Sequence, residues 1–178
     1  VLGSIPTVDE GKLLFLAGGR PEDIERAKPV LAHLAREVAT IGPIGTGNAM
    51  KLIVNLSMAA YLEALAEGLS LGLQEGLTME QMLDTLGKAP TANPWLAAKR
   101  DVLLGGSAAT TLDIAALHKD VLNAVTTGSL NGVAMPMASG ILSALSTTVA
   151  TGHGGEDVGH HPKAFREHMV RRPTSALK

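Results

Sequence analysis

The chain has 178 residues, rich in aliphatic side chains and poorer in charge than an average globular domain, so it can bury the core of one ordinary domain. A formal net charge of −2, with one Trp, one Tyr and two Phe, leaves neither the basic surface nor the stacking rings that nucleic-acid binding needs. The lack of cysteine excludes disulfides and thiolate metal sites and agrees with a reducing, cytoplasmic setting. No signal peptide is read at the start, so a cytoplasmic location is expected.

With so few aromatics, packing rests on Leu, Ala, Val, Ile and Met, and the many Ala and Gly residues allow close helix contacts. A mainly helical fold is expected. The opening, VLGSIPTVDEGKLLFLAGG, begins as a Gly- and Pro-containing loop, and Lys12 to Ala17 reads as a short buried strand closed by Gly18 and Gly19. A helix follows from Pro21, which suits a first helical position, with Glu22 and Asp23 at its positive end; Pro29 is expected to bend or divide it. Val38 to Ile41 reads as a second strand. Strand, helix and strand make a poor domain by themselves, so they are expected to be the end of a larger sheet in a parent protein.

From Thr46 to about Glu75 the pattern predicts one helix of roughly 30 residues, about 45 Å long, a length suited to a connector between domains. Its apolar run is interrupted by Lys51, Asn55, Glu63 and Glu67, which reads as a buried helix and not a membrane span. Thr78 and Gln81 form a capping box for a short helix, and Asn93-Pro94 starts another. Thr111 or Asp113 starts a helix through Thr127, and Pro136 lies near the start of one reaching about Ala150. A short helix after Pro162 and a loose tail complete the chain.

The segment GPIGTGNAMKLIVN, residues 42 to 55, sets three glycines before a lysine and an asparagine. A strand, a Gly-rich turn and a helix N-terminus can hold an anion, but the spacing matches neither the dinucleotide fingerprint nor a P-loop. On a helix, Asn55 falls about 40° from Lys51, and Met58 and Leu62 about 20° to its sides, so the lysine heads a stripe that turns apolar. Glu63 and Glu67 lie about 120° and 160° away. An ammonium at the positive end of a long helix, beside apolar neighbours, is expected to lose basicity and become useful in proton transfer. The alternative is that Lys51 extends to water, as helix-end lysines do. Gly42, Gly45 and Gly47 could let a ligand approach the backbone, and Asn55 could hold it by its amide or be a satisfied core residue.

These residues resemble the catalytic segment of the beta-hydroxyacid dehydrogenases, the family of 3-hydroxyisobutyrate, tartronate semialdehyde and 6-phosphogluconate dehydrogenases, with its pattern G-x-x-G-x-G-x-x-x-K-x-x-x-N. Three further stretches are similar to family elements in order and spacing: the opening, to the end of the substrate loop and its strand; LHKDVLNAV, residues 117 to 125, to the K-D-L-x-x-A element; and GHGGEDVG, residues 152 to 159, to the G-x-G-x-x-D segment. The resemblance covers roughly residues 1 to 160.

It implies an all-helical C-terminal dehydrogenase domain with a long connecting helix, preceded by a strand-helix-strand remnant of a Rossmann domain. The boundaries expected are 1–43 for that remnant, 44–76 for the helix, 77–170 for a helical substrate and dimerisation domain, and 171–178 for the tail. Carried over, the resemblance makes Lys51 the general acid/base and Asn55 the residue that orients the substrate oxygen. Gly3 and Ser4 would bind the substrate carboxylate, with Gly47 beside them, and Lys119 would approach the cofactor, NAD or NADP. The substrate would be a small hydroxy acid or its carbonyl partner, and assembly a homodimer or higher homo-oligomer. Aligned through Gly11, the family's substrate-loop serine falls at Leu2 and Ser4 takes a glycine's place, which loosens the substrate assignment. The related imine reductases usually replace the lysine. A helical dimerisation module is the rival reading.

The remaining polar residues carry less. Asp120 reads as a solvated helix acid, and His118 is equally uncommitted. His153, His160, His161 and His168 share no evident face, so no metal is expected and solvated histidines are the simpler reading. Trp95 is expected to anchor a helix in the core.

Overall fold

The computed structural model describes residues 1–107 and 109–170, apart from the side chains of Ile5 and Pro6; the expected tail, 171–178, lies outside the described residues. The chain is mainly helical, with one small parallel sheet. It divides into two compact units. One comprises Val1–Met58 with Asp120–Ala134, the other Ala59–Lys119 with the residues from Met135 onward.

In the first unit, β1 (Leu13–Gly18) pairs in parallel with β2 (Ala35–Gly42), Phe15 opposite Val38 and Leu16 opposite Ala39. The crossover between them is α2 (Pro21–Leu31), which buries Ile24 and packs on both strands. Pro21 starts α2 and Asp23 accepts from Arg20 at 2.8 Å, but the helix runs on through Pro29 undivided. Pro29 removes the one N–H that would reach the Glu25 carbonyl, a local loss in a helix that ends two residues later. The opening loop departs from expectation: Ile5–Asp9 form a short helix, α1, and Leu2 bridges Leu14 in antiparallel sense, with N–H···O distances of 2.8 and 3.0 Å.

The long helix α3 (Thr46–Gln74) has the expected length. By length and composition alone it would pass as a membrane-crossing helix, against the sequence reading. Within the second unit, however, its positions Ala59, Leu62, Leu65, Ala66 and Leu69 are buried as in a core helix, and its polar Glu63 and Ser70 are buried with hydrogen-bond partners.

The second unit's core joins those residues to Met82 and Leu83 of α4 (Met79–Leu86), Leu96 and Leu103 of α5 (Pro94–Leu103), and the start of α6 (Ile114–Leu130). Alpha-helix α7 (Pro136–Thr148) and α8 (His161–Met169) supply Ile141, Leu145 and Ala164. The predicted starts are the observed ones. Thr78 and Gln81 exchange both capping-box bonds, at 2.8 and 3.2 Å, and Asn93 accepts from the Leu96 amide at 2.9 Å. Asp113, not Thr111, caps α6, accepting from the Ala116 amide at 2.6 Å. Trp95 meets Tyr61 edge to face at 6.1 Å, partly buried against the core. A π-type turn, Val149–His153, follows α7 and takes in the end of its expected span.

Candidate active site

The glycine turn is built for close packing. A Cβ on Gly47 would stand 2.2 Å from the Leu16 carbonyl oxygen, and one on Gly18 would stand 2.9 Å from the Gly47 nitrogen. The first turn of α3 therefore rests on the end of β1, backbone to backbone, and this contact by itself requires glycine at both places. Gly45, at φ +92° with open space where a Cβ would point, lets the chain reverse from β2 into α3. A groove of about 340 Å³ beside the turn is lined by Phe15, Leu16, Ile44, Gly45 and Asn48 among others, with no cationic side chain in its wall. The clearing that sequence alone attributes to a ligand is thus filled, at Gly47, by the strand.

One turn into α3, Lys51 is half-buried, and Asn55, four residues on, is 5 % exposed. The Asn55 side-chain amide donates to the carboxylate of Asp120 on α6 within the same unit. A carboxylate only accepts, so the amide nitrogen faces Asp120 and the orientation of the asparagine is set. Asp120 is therefore not a merely solvated acid. Lys119, its neighbour, is exposed on α6.

Gly3 and Ser4 lie where the chain leaves the Leu2–Leu14 bridge and enters α1. Gly3 has φ +138°, and a Cβ there would strike Leu13 Cδ2 at 2.5 Å, so glycine is obligatory. Ser4 turns its hydroxyl toward that of Thr7, 3.5 Å away, and its carbonyl accepts from the Val8 amide at 3.0 Å.

The second unit holds polar clusters that sequence reading passed over. Asp157, matched only as the acid of G-x-G-x-x-D, is 2 % exposed; it binds the buried Lys99 Nζ at 2.7 Å and the Thr111 amide at 2.9 Å through one oxygen, and the Gly159 amide at 2.9 Å through the other. Burial would raise its pKa, but the Lys99 hydrogen bond, the two amides and the Lys99 charge outweigh it and hold the carboxyl below the ordinary range. The adjoining carbonyls of Gly154 and Glu156 accept from Ala115 and Ile114, satisfying the first amides of α6. His161 corrects the reading of solvated histidines. It is fully buried, with Nε2 2.8 Å from Glu63 and Nδ1 3.2 Å from the Thr148 hydroxyl. His153 and His168 also converge, their Nε2 atoms 3.4 Å apart.

Comparison with known proteins agrees with this architecture. A family model described as NAD-binding of NADP-dependent 3-hydroxyisobutyrate dehydrogenase matches residues 45–163. Glyoxylate/succinic semialdehyde reductase 1 of Arabidopsis thaliana is 31% identical over 157 residues, covering 88% of this chain and 54% of the relative. The 2-(hydroxymethyl)glutarate dehydrogenase of Eubacterium barkeri is 28% identical over 168 residues, covering 94% and 56%. Among solved structures, the Mycobacterium tuberculosis 3-hydroxyisobutyrate dehydrogenase with L-serine superposes with TM-score 0.80 at 22% identity, over 93% of this chain and 59% of that one, a likeness of fold. The chain spans about half the length of the curated relatives it matches.

Proposed function

Because this chain belongs to the NADP-dependent 3-hydroxyisobutyrate dehydrogenase family through its NAD-binding part, we propose that it is the proton-handling portion of an oxidoreductase that interconverts a small hydroxy acid and its semialdehyde or keto partner. The carrying observation is that half-buried Lys51 shares a helix face with Asn55, whose orientation Asp120 sets.

In this reading Lys51 Nζ gives a proton to, or takes one from, the substrate oxygen. Asn55 holds that oxygen with the part of its carboxamide not engaged by Asp120, so the asparagine needs no reorientation as the charge develops. Ser4 and the backbone near Gly3 bind the substrate carboxylate, and the glycine at position 3, required by the packing of Leu13 against it, places that loop. Gly47 acts through packing, by placing the first turn of α3.

The donors in this chain fit a nicotinamide cofactor at its edge only. Exposed Lys119 suits a phosphate or carboxamide, whereas the Gly42–Gly47 turn, a strand-turn-helix element of the kind that can hold an anion, is closed at Gly47 by the Leu16 carbonyl. When bound, NAD or NADP would supply or accept the hydride; in this reading the rest of the full-length protein contributes most of its contacts, and this chain the remainder. The isolated chain is accordingly expected to be inactive.

Exposed Leu71 and the unfilled space at Gly68 border an apolar groove of about 500 Å³ on α3 and α4. This favours a second copy of the chain as partner, which light scattering on the full-length protein would detect. The test of function is Lys51→Ala in the full-length protein that carries this chain. It should lower kcat about a hundredfold or more, as loss of acid/base catalysis does, with circular dichroism unchanged. An undiminished rate would leave the rival reading, a helical assembly module with a structural lysine.

A further inference from the structure

His153, Glu167 and His168 bring one ligand atom each within 4.8 Å of one another. The two imidazole Nε2 atoms are 3.4 Å apart, their rings tilted by 56°. Two nitrogens bound to one tetrahedral Zn²⁺ at about 2.0–2.1 Å stand about 3.3–3.4 Å from each other, so this spacing is that of one edge of a zinc tetrahedron.

The tautomer is also the required one. His153 Nδ1 lies 2.9 Å from Glu156 Oε1, and a carboxylate can only accept, so Nδ1 carries the hydrogen. Nε2 then presents its lone pair toward His168 in the neutral ring. A carboxylate behind the non-ligating nitrogen is the arrangement that orients histidine ligands in metal sites. The backbone holds this geometry independently: the Glu156 amide donates to the His153 carbonyl at 3.0 Å, and the Glu156 carbonyl accepts from Ile114 at 3.0 Å. His153 ends the π-type turn, and Glu167 and His168 lie in the last turn of α8, both within the second unit.

We propose that the chain carries a zinc site in which His153 Nε2, His168 Nε2 and a Glu167 oxygen are the protein ligands, water completes the shell, and Glu156 orients His153. The ion bolts the end of α8 to the turn that follows α7. Imidazole and carboxylate donors with an open position suit Zn²⁺, Co²⁺ or Ni²⁺ and are a poor match for Mg²⁺ or Ca²⁺. The site shares no residue with the proposed proton-transfer machinery.

The experiment is titration of the EDTA-treated 178-residue chain with Zn²⁺ by calorimetry, and with Co²⁺ by visible absorption. One equivalent should bind, with the intense bands of four- or five-coordinate cobalt, displaced by zinc, and Zn²⁺ should raise Tm. His153→Gln and His168→Gln should each weaken binding tenfold or more, and Glu156→Ala, which removes no ligand, by a similar factor, as loss of an orienting partner does. His33→Gln, an exposed histidine outside the cluster, should change nothing. Absence of saturable binding to the wild-type chain overturns the proposal and leaves a bare His168–His153 hydrogen bond. So does binding that survives His153→Gln, that is lost in His33→Gln, or that ignores Glu156→Ala.

Discussion

The side-chain amide of Asn55 donates to the carboxylate of Asp120, which lies 65 residues further along the chain, and this one bond joins the start of α3 to α6 within the first unit. Hydrogen bonds to charged groups are worth about 1.5–3 kcal/mol, and here the acceptor also decides which face of the carboxamide is left for a ligand.

Asp120→Ala in the full-length protein is therefore expected to act through Asn55. Without its acceptor the carboxamide can rotate, and misplacement of a substrate-holding group by about 1 Å lowers rates by up to about a hundredfold. Steady-state kinetics should show kcat reduced ten- to a hundredfold, less than in Lys51→Ala, with partial recovery in Asp120→Asn, which can still accept through its amide oxygen. An Asp120→Ala enzyme with unaltered kcat and KM would make the bond purely structural.

Gly47→Ala separates packing from ligand clearance. The added methyl would meet the Leu16 carbonyl at 2.2 Å, and backbone on both sides cannot yield as a side-chain end would. Overpacking of this kind costs about 1–3 kcal/mol. The unliganded chain should lose stability in urea by that amount, read as a lower midpoint at constant slope. If Gly47→Ala were as stable as the parent and only ligand binding suffered, the turn would have to be reassigned to the ligand.

The elements most legible in the sequence were those whose signals are local. Thr78 with Gln81, and Asn93 before Pro94, mark helix starts through bonds three residues long, and the structure contains those bonds. The long helix was legible because its apolar pattern runs unbroken by Pro. The short helix Ile5–Asp9 was not, since five residues carry little pattern and its placement depends on the Leu2–Leu14 bridge. Lys51 and Asn55 stood out as a pair because one helical turn separates them, whereas Asp120 acquires its meaning only when the fold brings α6 to Asn55. The same holds for His161 and Glu63, 98 residues apart. Glycine spacing pointed to the right turn but not to its reason, because a ligand and a strand make the same demand on a Cβ.

Acid should unfold the chain partly through Asp157. Its folded-state carboxyl is held below the ordinary 3.8, against burial, by Lys99 and two amides. A depressed carboxylate contributes stability that is fully present above its unfolded pKa and is lost as pH falls through the folded one. Thermal melts should thus show this group's contribution in full and unchanged between pH 7 and about 5, and a growing loss below about 4. Asp157→Asn should lower Tm at pH 7, because it leaves buried Lys99 without its counter-charge, a change worth about 3–5 kcal/mol. It should also flatten the acid limb, so that variant and parent converge as pH falls. Parallel acid limbs would mean that other carboxylates carry the dependence.

The pair of His161 and Glu63 can be tested without reference to pH. His161 is fully buried, and its two nitrogens meet Glu63 from α3 and Thr148 from α7, so the ring ties these helices through bonds that no water can replace. Removing one partner of such a buried set leaves the other desolvated and unmatched, which costs about 3–5 kcal/mol where a charge is involved. Removing both with apolar residues of similar size takes away the penalty along with the bond. His161→Leu should therefore be strongly destabilising, Glu63→Gln milder because its amide can still bond the ring, and the pair Glu63→Leu with His161→Leu less destabilising than the sum of the two leucine singles. A double-mutant cycle by urea denaturation measures the difference, which should reach about 1–3 kcal/mol for residues in direct contact. Strict additivity would show that Glu63 and His161 are only neighbours, and that α3 and α7 are held by the surrounding leucines and alanines alone.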